Sequence, residues 1–414
     1  MKYRDYQLDI INKGTKIINE YGLVYLAMEV RTGKTLTALG ICEKMGAKRV
    51  LFLTKKKAIP SIKYDYALLS PNFELRVINY ESSHKIDLGF YPEVIIADES
   101  HGCGSFPKPS KRAKLLKADI KTWAAKVILM SGTPTPESFS QMYHQVYGCP
   151  NNPFRHYKNF YAFANDYVNK KTKYLGSHQV IDYSNASNNV IKAMDKYTIN
   201  YTQKAAGFKS TIEEEILTVP MNSITYNLCN RLKRDRVIDG ENETILADTG
   251  VKLMQKLHQM YSGTIIFESK KSMILDTSKA DFIKKRFAGK KIGIFYKFKA
   301  ELAVLKKVYA DKLCVELDDF NTGNFDVIAL QIVSGREGIS LRKADHIVYY
   351  NIDFSATSYW QSRDRMTTKD RLYNKVYWVF SQGGIEHRIY QAVLNKRSYT
   401  LDHFKKDLQL WDHS

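Results

Sequence analysis

The sequence predicts an α/β protein with two parallel-sheet lobes joined by a mainly helical segment, and three observations lead there. A chain of 414 residues is too long for one ordinary core and comfortable for two. Short apolar runs, each followed by a loop and a helix-like stretch, recur in two sets, the pattern of a parallel sheet covered by helices. Between the sets the sequence turns Tyr-, Asn- and Lys-rich, with helical spacing and few strand signals.

The first set of expected strands is Leu23 to Ala27, Val50 to Thr54, Val94 to Ala97 and Val127 to Ser131. The second is Ile292 to Tyr296, Phe325 to Gln331, His346 to Tyr350 and Val376 to Phe380. The expected boundaries are therefore 1–210 for the first lobe, with a helical insertion from about residue 137, 211–277 for a helical linker, and 278–414 for the second lobe with a C-terminal helix. Within the linker, Leu228 to Arg236 reads as a basic helix, for which a solvated face competes with a nucleic-acid contact.

Composition narrows the class. With 44% hydrophobic and 26% charged residues and no low-complexity tract, the chain reads as globular. Its apolar runs are too short to span a bilayer and its start lacks a signal-peptide core, so a cytoplasm without membrane contact is the expected setting. The formal charge of +20 favours a polyanionic partner. The five cysteines contain no C-x-x-C pair, which points to reduced packing residues rather than a zinc site or disulfides.

The strongest local signal is Arg31-Thr32-Gly33-Lys34-Thr35, after a strand and opening a helix, the context of a phosphate-cradling P-loop. Turn amides and the helix N-terminus would hold the phosphates, Lys34 would reach the β- and γ-phosphates, and the Thr35 hydroxyl would ligate Mg2+. Met28 stands where such loops begin with Gly, and Arg31 where many keep a second Gly. At Val94 to His101 an apolar strand ends in Asp98-Glu99. There Asp98 would hold the magnesium shell and Glu99 would polarise the attacking water.

Together these residues resemble helicase superfamily 2, whose second motif reads Asp-Glu-x-His, here Asp98 to His101. Ser131-Gly132-Thr133-Pro134 looks like the family's third motif, so Ser131 and Thr133 would couple ATP state to the nucleic-acid path. Arg4-Asp5-Tyr6-Gln7 looks like its adenine-recognition element, in which the Gln7 amide would pair with adenine and Arg4 would assist. Thr54-Lys55-Lys56-Lys57 resembles the motif that touches the nucleic-acid backbone, and Asn79-Tyr80-Glu81 resembles another first-lobe element.

In the second lobe, Ile328 to Leu341 resembles the fifth motif in its Swi/Snf-type form, which implies DNA contacts from Ser334, Gly335 and Arg336. Tyr359 to Arg365 looks like the sixth motif, with Gln361 facing the nucleotide and Arg365 as arginine finger. The family's further Arg is replaced by Thr368, which leaves Arg363 as the alternative finger and Arg371 nearby. Tyr201 to Phe208, leading to Val219-Pro220-Met221, also resembles the Swi/Snf-type crossing between lobes.

The resemblance covers about Tyr3 to Lys396 and implies two RecA-like lobes that close on ATP and Mg2+ and move along duplex or branched DNA in replication, recombination or repair. Compactness looks like the small versions carried by bacteriophages and mobile elements, which would place the chain in a bacterial host cytoplasm among phage or host replication and recombination proteins. The rival readings are an RNA helicase, a non-hydrolysing nucleotide-dependent DNA-binding scaffold, and the motor subunit of a restriction-type complex.

Overall fold

The computed structural model describes residues 3–175, 178–207, 211–332, 341, 343–355, 358–359, 362 and 373–395, and the chain divides into two compact units, Met1–Phe208 and Lys209–Ser414. The first unit opens with α1 (Asp5–Tyr21), β1 (Leu23–Met28), α2 (Lys34–Lys44), β2 (Arg49–Thr54), α3 (Ile59–Leu69), β3 (Glu74–Asn79) and β4 (Val94–Ala97). It continues with α4 (Lys111–Trp123), β5 (Lys126–Met130), α5 (Gln141–Val146), α6 (Phe160–Tyr167), the hairpin β6 (Lys171–Leu175) and β7 (His178–Asp182), α7 (Asn189–Met194) and β8 (Thr198–Tyr201).

Six of these strands form a parallel sheet in the order β3-β2-β4-β5-β1-β8. Its strands alternate between two cores because successive side chains leave a strand on opposite faces. Val24, Phe52, Ile96 and Ile128 pack with α1 and α2, whereas Tyr25, Leu53, Ile95 and Leu129 pack with α4, α5 and α6. The second core accounts for much of the aromatic-rich insertion, since Tyr143, Phe154, Phe160 and Phe163 lie in it. α1 comes close to α2 through two glycines: a Cβ on Gly14 would lie 2.5 Å from Ile41 Cδ1, and one on Gly40 2.5 Å from Ile11 Cδ1. This contact seats the start of α1 beside the start of α2.

The second unit runs β9 (Thr211–Val219), α8 (Ser223–Asp235), the short strands β10 (Val237–Asp239) and β11 (Thr244–Leu246), α9 (Gly250–Tyr261), and the pair β12 (Thr264–Ile266) and β13 (Ser272–Ile274). Then follow α10 (Ser278–Arg286), β14 (Ile292–Tyr296), α11 (Lys299–Tyr309), β15 (Leu313–Cys314), α12 (Leu317–Thr322), β16 (Val327–Gln331), β17 (His346–Tyr349), β18 (Tyr373–Ser381) and α13 (Glu386–Leu394). Its sheet is again six-stranded and parallel, in the order β15-β16-β14-β17-β18-β9.

One expectation is corrected here. Residues 211–277 were expected as a helical linker, but β9 pairs with β18 over its whole length, from Thr211 with Tyr373 to Val219 with Ser381. Cys229 and Leu232 of α8 and Leu253 and Leu257 of α9 share a core with Phe295, Ile328 and Trp378. The segment is therefore an integral layer of the second unit. Its strand escapes a pattern reading because Glu213, Glu214 and Glu215 interrupt the apolar alternation of an edge strand. On α8 both Arg231 and Arg234 lie against Asp235, which fits the solvated-face reading of that helix.

The other face of the second sheet holds a buried ion pair. Lys279 Nζ of α10 donates to Glu386 Oε1 of α13 at 3.0 Å, both side chains fully buried, and Ser381 Oγ donates to the same carboxylate. All five cysteines are buried and unpaired with one another. Among the described residues no helix is long and apolar enough to cross a membrane.

Candidate nucleotide site

In a parallel sheet every strand points its carboxyl end the same way, so the loops after β1, β2, β4 and β5 gather along one edge. The expected P-loop lies there, between β1 and α2. Gly33 caps α2 with φ +80°, and a Cβ at that position would stand 2.5 Å from Gln7 Nε2. Only glycine meets both demands. Arg31 also takes a positive φ, 62°. Lys34 starts the helix, and its Nζ donates to the carbonyls of Met28 at 2.9 Å and Glu29 at 3.1 Å, folding the ammonium back over its own loop. Thr32 is buried and donates its hydroxyl to the Glu29 carbonyl at 2.7 Å, and Thr35 sits in the first turn of α2.

Asp98 and Glu99 follow β4. Asp98 accepts from Thr54 Oγ1 at 2.8 Å and from the Glu99 backbone at 3.0 Å, while Tyr80 OH donates to its carbonyl at 2.6 Å. Burial, and next the negative charge of Glu99, push the Asp98 carboxyl up to about 7, against the lowering influence of Thr54 and Lys34. Glu99 has φ 48° and ψ 45°, a left-handed conformation that an unbranched acid adopts only under constraint, and such strain gathers at functional sites. That turn separates the two carboxylates: Asp98 faces Thr54, and Glu99 Oε2 approaches His101 Nδ1 at 3.2 Å.

His101 Nδ1 also lies 3.0 Å from Ser131 Oγ, which accepts from the Thr133 amide at 3.1 Å. Gly132 closes the gap toward the P-loop, since a Cβ there would be 3.5 Å from the Met28 carbonyl and 3.6 Å from Lys34 Nζ. Thr133 Oγ1 is buried without a hydrogen-bond partner among the described residues. A third layer, missed in the sequence, supports this edge. Ser100 Oγ donates to Tyr25 OH at 2.9 Å, Tyr25 donates to Gln145 Oε1 at 2.8 Å, and Gln145 Nε2 donates to the Pro134 carbonyl at 2.8 Å. The signal was present in Tyr25, because a tyrosine inside an apolar strand needs a partner for its hydroxyl.

The residues fit a nucleotide with a magnesium ion. The Asp98 carboxyl, held protonated more readily by burial and by the neighbouring Glu99, suits a divalent cation, and Mg2+ typically takes one or two protein oxygens together with substrate phosphates. Asp98 and the Thr35 hydroxyl are the oxygens available for that role. Among the described residues no cluster of three or more His, Cys, Asp or Glu side chains could hold a metal alone.

Other sequence-based expectations fare variously. Gln7 is 3% exposed, and its amide already accepts from the Arg4 backbone at 3.0 Å and donates to the Gly33 carbonyl at 3.3 Å, so it ties α1 to the P-loop. Arg4 is exposed, with Nη1 donating to Tyr6 OH at 3.0 Å. Thr54 is turned inward to Asp98 and is 1% exposed, whereas Lys56 and Lys57 are exposed and Lys55 half-buried. Thr54 thus joins the carboxylate site rather than an outer nucleic-acid surface, because its hydroxyl is committed to Asp98.

Ser334, Gly335, Arg336, Gln361, Arg363, Arg365, Thr368 and Arg371 lie outside the described residues. Their flanks are well anchored within the second unit. Tyr359 OH donates to both Glu214 oxygens, at 2.8 and 2.9 Å, and Ser358 Oγ donates to Asp353 Oδ2 at 2.7 Å. Asp353 in turn pairs with Lys297 at 2.7 Å.

Residues 251–367 match the family described as Helicase conserved C-terminal domain, the stretch in which the fifth and sixth motifs were read. The second unit thus contains a stretch similar to the helicase domain that the superfamily 2 resemblance led us to expect. No curated protein matches the sequence. Among solved structures the chain is similar to the Sulfolobus solfataricus SWI2/SNF2 ATPase core in complex with dsDNA, at 13% identity and a TM-score of 0.42, over 100% of this chain and 95% of that one.

Proposed function

We propose that this chain, whose residues 251–367 match the helicase C-terminal domain, is an ATP-dependent DNA translocase of the Swi/Snf-like branch of superfamily 2. The observation that carries the reading is the convergence of Lys34, Asp98, Glu99 and Ser131 at one sheet edge, with Lys34 close enough to influence the Asp98 carboxyl. In this reading the P-loop amides and Lys34 hold the phosphates of ATP, Thr35 and Asp98 hold Mg2+, and Glu99 orients the attacking water. Bound Mg2+ supplies charge neutralisation at the phosphates. Arg365 is the proposed arginine finger, with Gln361 as its companion in the sixth motif.

DNA as the partner is supported by the net charge of +20, by exposed Lys56 and Lys57, and by the Swi/Snf-type fifth motif. Grip through phosphate contacts makes affinity fall steeply with salt and depend little on sequence. A cytoplasmic setting suits such a motor.

Steady-state ATP hydrolysis tests this, measured with no nucleic acid, duplex DNA, single-stranded DNA or RNA, with Lys34→Ala and Glu99→Gln as controls. Turnover stimulated by duplex DNA and abolished in both variants is the expected result. Stimulation by RNA alone would move the assignment to an RNA helicase. Nucleotide binding without turnover on any of these would make the chain a switch or scaffold.

A further inference from the structure

The stretch from Tyr201 to Gln203, where β8 ends, does more than complete the first sheet. The Glu29 amide donates to the Tyr201 carbonyl at 2.9 Å. The Gln203 amide donates to Glu29 Oε2 at 2.7 Å, and Gln203 Nε2 donates to the Val30 carbonyl at 3.0 Å. The Tyr6 ring stacks on Tyr201 with centroids 4.7 Å apart and planes at 16°, and its hydroxyl reaches the Thr32 carbonyl at 3.1 Å. Glu29 and Val30 of the P-loop are thus clasped directly, and Thr32 through Tyr6, by the closing stretch of the first unit, which ends at Phe208.

We propose that this clasp carries the nucleotide state of the P-loop to the chain that leaves the first unit, with Gln203 as its positioning residue. The inference rests on the ATP reading above. Lys34 Nζ now donates to the Met28 and Glu29 carbonyls. Phosphate oxygens compete for that ammonium, and drawing it away frees the carbonyl of the residue whose carboxylate holds the Gln203 amide. A ligand shifts an equilibrium only through interactions that differ between its two states, and the Lys34 ammonium is that difference here. The tether is local, one hydrogen bond from the Gln203 backbone and one from its side chain, so its side-chain half can be cut without touching Lys34, Asp98 or Glu99.

Hydrogen exchange of residues 198–207 in the full chain tests the idea, without nucleotide and with a non-hydrolysable ATP analogue plus Mg2+. In the wild type the analogue should change exchange there by about fivefold or more, the low end of ordinary allosteric couplings. Gln203→Ala, which removes the bond to Val30 and keeps the amide bond to Glu29, should diminish the response while the analogue binds as in the wild type. Glu29→Gln, which retains an acceptor for the Gln203 amide, should preserve it. An undiminished response in Gln203→Ala would overturn the proposal, and so would loss of analogue affinity together with the response, since Gln203 would then merely support the loop. A wild-type chain that fails to bind the analogue would refute the ATP reading itself, an outcome visible separately from either.

Discussion

Thr54 Oγ1 donates a hydrogen bond to Asp98 Oδ2 across 2.8 Å, joining the end of β2 to the end of β4. Thr54→Val keeps the shape and removes the donor, leaving a buried carboxylate oxygen short of one partner. The expected cost is about 1–3 kcal/mol in denaturant unfolding, with a higher Mg2+ requirement for hydrolysis. An unchanged midpoint and an unchanged Mg2+ dependence would show that the bond contributes nothing.

The same carboxyl predicts a pH dependence. Burial raises its folded-state pKa from 3.8 to about 7, so the folded form holds the proton more tightly than the unfolded chain. Stability is then lost as pH rises between those values and regained as pH falls back through about 7. Asp98→Asn should therefore unfold at higher temperature than the wild type at about pH 8 in the absence of Mg2+, and lose most of the slope below neutrality, while hydrolysing no ATP. A variant less stable than the wild type at that pH would count against the burial penalty.

Tyr25 and Gln145 should act as a unit. Tyr25→Phe removes one hydroxyl from the hydrogen-bonded chain linking Ser100 to Pro134, and Gln145→Leu removes the amide that both ends use. In a double-mutant cycle on kcat the two should show a coupling of about 0.5–3 kcal/mol. Strict additivity would mean that the chain does not position the Ser131 to Pro134 loop.

In the second unit, Lys279→Met strands a buried Glu386 charge, and breaking such a pair costs about 3–5 kcal/mol. Pairing it with Glu386→Leu should recover most of that loss, as followed by thermal unfolding. A double variant as unstable as the single one would assign the effect to packing.

Much of this was legible in the sequence because phosphate-binding loops and buried parallel strands have strong local signatures. Leu23 to Ala27 and Val94 to Ala97 are apolar runs with no other good explanation, and Gly33 with Lys34 is defined by backbone geometry. β9 was not legible, since an edge strand with charged residues resembles a linker until its partner is known, and β8 escaped because it is only four residues long. Gln145 and Gln203 were hidden for a different reason. Each acts through a bond to a residue far away in sequence, and nothing in its neighbours marks it. Gln7 was singled out as an adenine-pairing residue, and its amide lies beside the P-loop, engaged with the Arg4 and Gly33 backbone.

The pairing of β9 with β18 bears on how the second unit comes into being. Its edge strand emerges from the ribosome first and its partner almost last, so the sheet stays open at that side until nearly the whole unit has been made. Contacts between such distant segments form slowly, because a large loop must close before they reward it. Glu214 is made early, and the Trp378 and Tyr390 groups that donate to it are made late. Synthesis that stalls before β18 would therefore leave β9 and β17 each with an uncovered edge, an open template for pairing with another chain.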